Sequence, residues 1–378
     1  MTKIVEVTPR TQCCICGSHS LAPLRTISDF PVFMGVTDQT QSEDLFANQV
    51  WGACQACGLI QLLELLPMEI LYSENHNLES VGQTWKDHHQ EFAKFIHKST
   101  GQKILEIGGA HGELSKNLLT LNGDLKYTVV EPTPGTYLKI VNVVRDYIEN
   151  QLSLVTNQDS IVHSHVLEHL YNPTNFVQQI SKSLKIGSKM YMSFPNIEEL
   201  VLTGGANSLN FEHTYFLTPE QLLALVESSG FELVNKREFR KHSYFWELEK
   251  VGPIVTPNIP DIKYKIDLFN ELWEGLEHFV FKSNLELAKA TTPTFVFGAH
   301  VFTQALFKLG LNTTLLSGVL DNAPHKQNRR LYGSKHQVYS PNVISEYREV
   351  RVILRATHYQ DEIRNQLLSL NPQVEILE

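Results

Sequence analysis

Lys103-Ile104-Leu105-Glu106-Ile107-Gly108-Gly109-Ala110-His111-Gly112 runs directly into Glu113-Leu114-Ser115-Lys116-Asn117-Leu118-Leu119. A short, partly β-branched apolar run, a glycine-punctuated turn and a helical run in succession make a strand, a glycine loop and a helix. Glycines at 108, 109 and 112 let a ligand approach the backbone closely, and the helix N-terminus offers unpaired amides to an anionic group. The next strand, Lys126-Tyr127-Thr128-Val129-Val130-Glu131, closes on a carboxylate suited to accept both hydroxyls of a ribose. The fold class is therefore α/β. The loop spacing, Gly-x-x-x-Gly, departs from the Gly-x-Gly-x-x-Gly of a dinucleotide site.

Upstream lie all five cysteines, as Cys13-Cys14-Ile15-Cys16 and Cys54-Gln55-Ala56-Cys57. Two Cys-x2-Cys turns brought face to face supply four soft ligands, so Cys13, Cys16, Cys54 and Cys57 are expected to hold a structural zinc, with Cys14 spare. The surrounding run, rich in Pro, Gly and short β-like stretches, reads as a small zinc-binding module whose core is the metal. Disulfides would need an oxidising compartment, and Met1-Thr2-Lys3-Ile4 leads into no apolar h-region, so the expected location is cytoplasmic. No window approaches the roughly 18 apolar residues of a membrane span. A net charge of −9 and a pI near 6.0 argue against a nucleic-acid partner. Residues 83 to 98, with Trp85, Phe92, Phe95 and Ile96 at helical spacing, read as an amphipathic helix. His88 and His89 on it should point apart and share no ligand. No pair of histidines or carboxylates has the spacing of a catalytic metal site.

Downstream, the proline-rich stretch from Gly252 to Pro260 reads as a linker. Beyond a helix over residues 262 to 288, Pro293 to His300 and Thr314 to Asn322 repeat the pattern of strand, turn, helix and acid-ended strand. Without the full glycine fingerprint this second unit is an abortive Rossmann-like domain. Three segments follow: a zinc-binding module (1–75), a central domain (76–255) and a C-terminal Rossmann-like domain (256–378).

Glu106-x-Gly108-x-x-x-Gly112 followed by Glu131 resembles the S-adenosylmethionine site of class I methyltransferases, and Ser160 to Leu170, with its His165-Val166-Leu167-Glu168-His169 run, looks like that fold's fourth-strand motif. The resemblance places Glu106, Gly108 and Gly112 at the cofactor loop, Glu131 at the ribose, His165 at the methionine end and Asp146 to Ile148 beside adenine. Gly187 to Asn196 matches the fifth strand and its Pro-Asn exit. With the zinc module in front and Asp321 to Gly333 behind, nearly the whole chain resembles the sugar C-methyltransferases that act on nucleotide-linked keto-deoxysugars.

Phe211-Glu212-His213-Thr214-Tyr215-Phe216 is similar to the run in which that family carries its general base. Methylating carbon requires a carbanion, and a C–H beside a ketone yields one to a base with a pKa near neutrality. The resemblance implies His213 as that base, oriented or charge-supported by Glu212. The competing reading is that both merely cap the helix opening at Thr218-Pro219-Glu220. The chain departs from the family at Asn210 and His76, both commonly tyrosine, and at Gly298 to Thr303, which lacks an expected lysine. His76 is a second acid–base group or fills the tyrosine's space, and Tyr72 is an alternative base. Lys326, Arg329 and Arg330 would either neutralise a substrate diphosphate or form a solvated basic turn.

The expected function is S-adenosylmethionine-dependent methylation of a nucleotide-linked sugar, at carbon next to a keto group. The alternatives are an O-methyltransferase acting on a related sugar or small polar metabolite, and a noncatalytic zinc-containing binding protein.

Overall fold

The computed structural model of the chain describes residues 3–71, 83–206, 209–289, 292–356 and 359–378. At its centre a seven-stranded sheet runs in the order Asn142–Val144, Lys126–Val130, Lys103–Ile107, Ser160–Ser164, Lys189–Pro195, Ser243–Lys250, Phe231–Phe239. The first five strands are parallel to one another, and Ser243–Lys250 runs antiparallel to the strands on both of its sides. Ile104, Leu105, Val129, Ile161, Val162 and Met190 are fully buried, as befits parallel strands covered on both faces. Helix Gln83–His97 covers one face with Phe92, Phe95 and Ile96. From Lys103–Ile107 the chain first builds outward to Asn142–Val144, then returns to the other side with Ser160–Ser164. Such a reversal opens a crevice at the carboxyl ends of the two inner strands. The glycine loop and the turn after Ser164 flank it.

The amino-terminal segment is a sheet in which Leu45–Cys54 pairs antiparallel with Leu21–Pro31 and with Ile60–Leu62. Its last strand is Tyr215–Phe216, contributed from far along the chain. The expectation that the metal alone is this module's core is corrected. Trp51, Phe30 and Leu62 are almost completely buried in one cluster with Phe216, Phe269 and Trp273, and each large side chain removed from water contributes about 1.5–3 kcal/mol. Trp51 lies 4.8 Å from Phe216 and 5.9 Å from Phe269, ring to ring. Helix Tyr264–Lys289 carries Phe269 and Trp273 into this core.

The C-terminal sheet is parallel throughout, in the order Val338–Tyr339, Gly318–Leu320, Thr294–Phe297, Arg351–Ile353, Glu375–Leu377. Arg330 docks it on the amino-terminal segment through a two-pronged pair with Asp44, at 2.6 and 2.7 Å. The Asp44 carboxylate is wholly buried and also accepts the Gly333 amide. The stretch from Gly252 to Pro260 has no regular structure. Among the described residues, no helix is long and apolar enough to cross a membrane.

Candidate active site

The glycine loop is held by its backbone conformation. Gly108, Ala110 and Gly112 have φ of 72°, 43° and 78°, a region that costs any residue with a Cβ. A Cβ on Gly108 would also stand 2.4 Å from a Val166 methyl. Glu131, at the end of its strand, accepts the Ala110 amide on Oε2 (3.1 Å) and the Thr133 amide on Oε1 (3.0 Å). Tyr137 donates to the Ala110 carbonyl at 3.0 Å, and a Cβ on Gly112 would meet its ring at 2.7 Å. The room that Gly112 leaves therefore goes first to Tyr137, which sequence reasoning passed over. Glu106 is buried beneath the loop and accepts from the Tyr127 hydroxyl at 2.9 Å. Burial pushes its carboxyl up to about 7. Its carboxyl carbon lies against the loop, 3.2 Å from where a Cβ on Gly109 would stand.

His165 sits at the crevice with φ of 53°. Its Nε2 is 2.9 Å from the Ser243 hydroxyl and its Nδ1 2.9 Å from a Glu168 oxygen. Trp85 packs against it at 4.7 Å and against His88 and His242 at 5.2 and 4.9 Å. The expectation that His88 and His89 point apart is corrected, because their rings meet at 5.2 Å within this cluster. Burial drives His88, His89 and His165 below the ordinary histidine range, so they are neutral packing groups at neutral pH. Asp146 accepts the Tyr147 amide and the Asn150 and Gln151 side chains, closing the next turn. That turn fixes where Tyr147 and Ile148 stand.

His213 comes from the loop just before Tyr215–Phe216. Asn210 Oδ1 accepts the amides of both Glu212 and His213, each at 2.8 Å, so the residue that departs from the family's tyrosine shapes the turn carrying the histidine. The capping alternative is excluded: helix Pro219–Ser228 is capped by Thr218, which accepts the Gln221 amide in a capping box. The expectation that Glu212 supports His213 is corrected, because its carboxylate stands 3.8 Å from Nδ1 of His169 instead. His169 packs edge-on against His213 at 4.9 Å. His213 Nδ1 is buried without a hydrogen-bond partner among the described residues. Burial holds His213 below the ordinary histidine value and His169 down to about 4, while it lifts Glu212 to about 7. His300, at the turn of the C-terminal domain, is also lowered to about 4, by burial, then Lys326, with a smaller contribution from His213. His76 and Tyr72 lie outside the described residues.

The absence of metal-site spacing noted in the sequence does not carry over to three dimensions. Ligand atoms of Glu168, His169 and His213 lie within 4.8 Å of one another, and so do those of Cys13, Cys16, Cys54 and Cys57. In the cysteine group, Cys13 and Cys57 sulfurs are 3.7 Å apart and those of Cys16 and Cys54 3.5 Å. None of these is in a disulfide. Burial raises the Cys14 thiol to about 12, which leaves it an inert neighbour. Each cation of the basic turn has an acidic partner: Lys326 pairs with Asp321, Arg330 with the buried Asp44, and Arg329 with Asp38 at the surface.

A family described as "Methyltransferase domain" matches residues 76–236, which include the glycine loop, Glu131 and His213. No curated protein matches the chain. Human N-acetylserotonin methyltransferase with bound cofactor is similar at 14% identity over 44% of this chain and 55% of its own, with a TM-score of 0.36. An O-methyltransferase family protein from Burkholderia thailandensis is similar at 10% identity over 44% and 57%, with a TM-score of 0.35. The plantazolicin methyltransferase BpumL, in complex with a substrate analogue and SAH, is similar at 14% identity over 45% and 86%, with a TM-score of 0.36. The family match makes residues 76–236 a methyltransferase domain within a mixed α/β fold. The protein is an S-adenosylmethionine-dependent methyltransferase, which removes the noncatalytic alternative.

Proposed function

We propose that the enzyme methylates a nucleotide-linked sugar at carbon next to a keto group, with His213 as general base and the four-cysteine cluster as a structural zinc site. The observation that carries this reading is the His213 imidazole: half-buried, held neutral, with no hydrogen-bond partner on Nδ1 among the described residues and released from any capping duty. A neutral imidazole with a free lone pair is what proton abstraction from carbon requires.

The residues present fit the cofactor. A carboxylate has about four acceptor sites, and Glu131 spends two on backbone amides and one on the Thr133 hydroxyl, whose bond at 3.3 Å is the longest of the three. Ribose hydroxyls would take the fourth site and displace that hydroxyl. The bound cofactor supplies an electrophilic methyl group. His213 takes the proton, His169 stands against it as the adjoining polar group, and Trp85 with its histidines excludes water from the crevice.

The cysteine geometry supports zinc. A tetrahedral site with Zn–S near 2.3 Å sets sulfur atoms about 3.8 Å apart, close to the two separations found. Metal analysis should give about one zinc per chain, kept in Cys14→Ser and lost in Cys57→Ser. Equal loss in both would remove Cys14 as the spare thiol.

The test of the reaction is solvent exchange. With a nucleotide keto-sugar in D2O, the enzyme should wash deuterium into the position next to the ketone, with S-adenosylhomocysteine in place of the methyl donor. Methylated product without C–H exchange would favour O-methylation.

A further inference from the structure

Glu168 is the one member of the crevice whose environment is hardest to explain by packing. It is only 6% exposed, and among the described residues neither carboxylate oxygen has a hydrogen-bond donor. The nearest ring nitrogen, Nδ1 of His165, is 2.9 Å from Oε1 but makes no hydrogen bond to it. A buried carboxylate without a donor or a cation is costly, and in folded proteins such groups are paired or bind metal. Around it stand His169 and His213, with one nitrogen each, all three ligand atoms within 4.8 Å of one another. Glu212 adds a second carboxylate, 3.8 Å from His169.

We infer that Glu168, His169 and His213 form a binding site for a divalent transition-metal cation, separate from the four-cysteine cluster. Two imidazoles and a carboxylate are a ligand set that zinc and its first-row neighbours accept, with further positions open to water or Glu212. Ligand atoms on a tetrahedral ion at about 2.1 Å lie roughly 3.4 Å apart, so small side-chain rotations close the observed spacing. Glu168 and His169 are fixed by the short turn Leu167–His169 at the carboxyl edge of the central sheet. His213 is fixed by Asn210, and the Thr214 amide ties the two segments through the Glu168 carbonyl at 3.3 Å. The three ligands therefore sit on backbone that is already joined.

This inference rests on the proposed role of His213 and adds a control to it. The lone pair that takes a proton from substrate is the one that a cation would occupy, so metal at this site blocks proton abstraction.

Cobalt(II) is the probe, titrated into full-length enzyme whose cysteine site already holds zinc, without substrate. The expected result is one further equivalent bound, with a visible d–d spectrum free of thiolate charge transfer. Glu168→Gln and His169→Asn should each lose that equivalent while keeping cysteine-bound zinc, which shows that they have folded. In the wild type, solvent exchange into keto-sugar should fall as the equivalent fills and recover with a chelator too weak to strip the cysteines. No further equivalent, or one that survives both substitutions, overturns the site. An equivalent lost in both variants that leaves exchange unaffected upholds the site and overturns the control. If enzyme holding only the cysteine-bound zinc shows no exchange at all, the base assignment fails, and the spectrum still decides the site.

Discussion

The chain contains two α/β units built on one plan, a strand into a turn into a helix, then a strand ending in an acid, and only one of them is a cofactor-site candidate. In the central unit five residues, 108 to 112, separate strand Lys103–Ile107 from helix Glu113–Leu121, and three of them have positive φ. In the C-terminal unit three residues, 298 to 300, separate Thr294–Phe297 from Val301–Lys308, and only Gly298 does. The acids differ in the same sense. Glu131 meets two backbone amides and a hydroxyl, with no cation paired to it among the described residues. Asp321 meets the amides of Ala299 and Ala323 and the ammonium of Lys326 at 3.1 Å. A carboxylate at the end of a second strand is thus an offer to a ligand only while the protein itself has not neutralised it.

The sharpest break of this comparison is catalytic. His213→Asn should lower both C–H exchange and methylation by about 10² to 10⁴ while leaving S-adenosylmethionine affinity unchanged, as measured by calorimetry. A near wild-type rate in this variant would move the base to His76 or Tyr72.

The first strand of each unit differs two residues before its glycine, with Glu106 in the central unit and Val296 in the C-terminal one. Burial raises Glu106 from 4.5 to about 7, so its contribution to stability is complete below pH 4.5 and lost as pH rises through about 7. At about 1.4 kcal/mol per pH unit, the ionised group costs the fold roughly 3 kcal/mol above that window. Glu106→Gln keeps an acceptor for Tyr127 and should raise the melting temperature at pH 8 by several degrees, with no gain near pH 4.5. An equal gain at both values would mean that ionisation is not the cause.

Glu131→Ala should weaken S-adenosylmethionine binding by about 10- to 100-fold, from the loss of two charge-assisted hydrogen bonds. Asp321→Ala should leave that affinity unaltered. If the two substitutions have the same effect, the distinction between an open and a neutralised carboxylate fails. Smallest is the effect on zinc of Cys14→Ser, for which no loss is expected, against complete loss in Cys57→Ser.

Much of this was legible in the sequence because it is encoded locally. The glycine spacing at 108, 109 and 112, the acid at 131, the two Cys-x2-Cys turns and the Thr218-Pro219 helix start each need only a few neighbouring residues to specify a backbone conformation or a ligand pair. Runs such as Ser160 to Ser164 and Lys189 to Pro195 owe their apolar character to burial on both faces, and their places as fourth and fifth strands followed from the resemblance to class I methyltransferases.

What the sequence alone did not determine is what each buried face meets. Apolar pattern says that Trp51 and Phe216 turn inward, and nothing in it says that Tyr215–Phe216 pairs with Ile60–Leu62 to share a core. Charge says that Arg330 and Asp44 seek partners, not that they find each other across two segments. The same holds at the site. Glu168 and His169 reach His213 because the chain reverses direction across the central sheet and then lends its next strand to another one, which joins residues more than forty positions apart. Local sequence fixes backbone conformation and hydrophobic faces through short-range sterics. The pairing of those faces, and with it Tyr137 over the loop, Glu212 beside His169 and the unpartnered carboxylate of Glu168, is decided only when the whole chain packs.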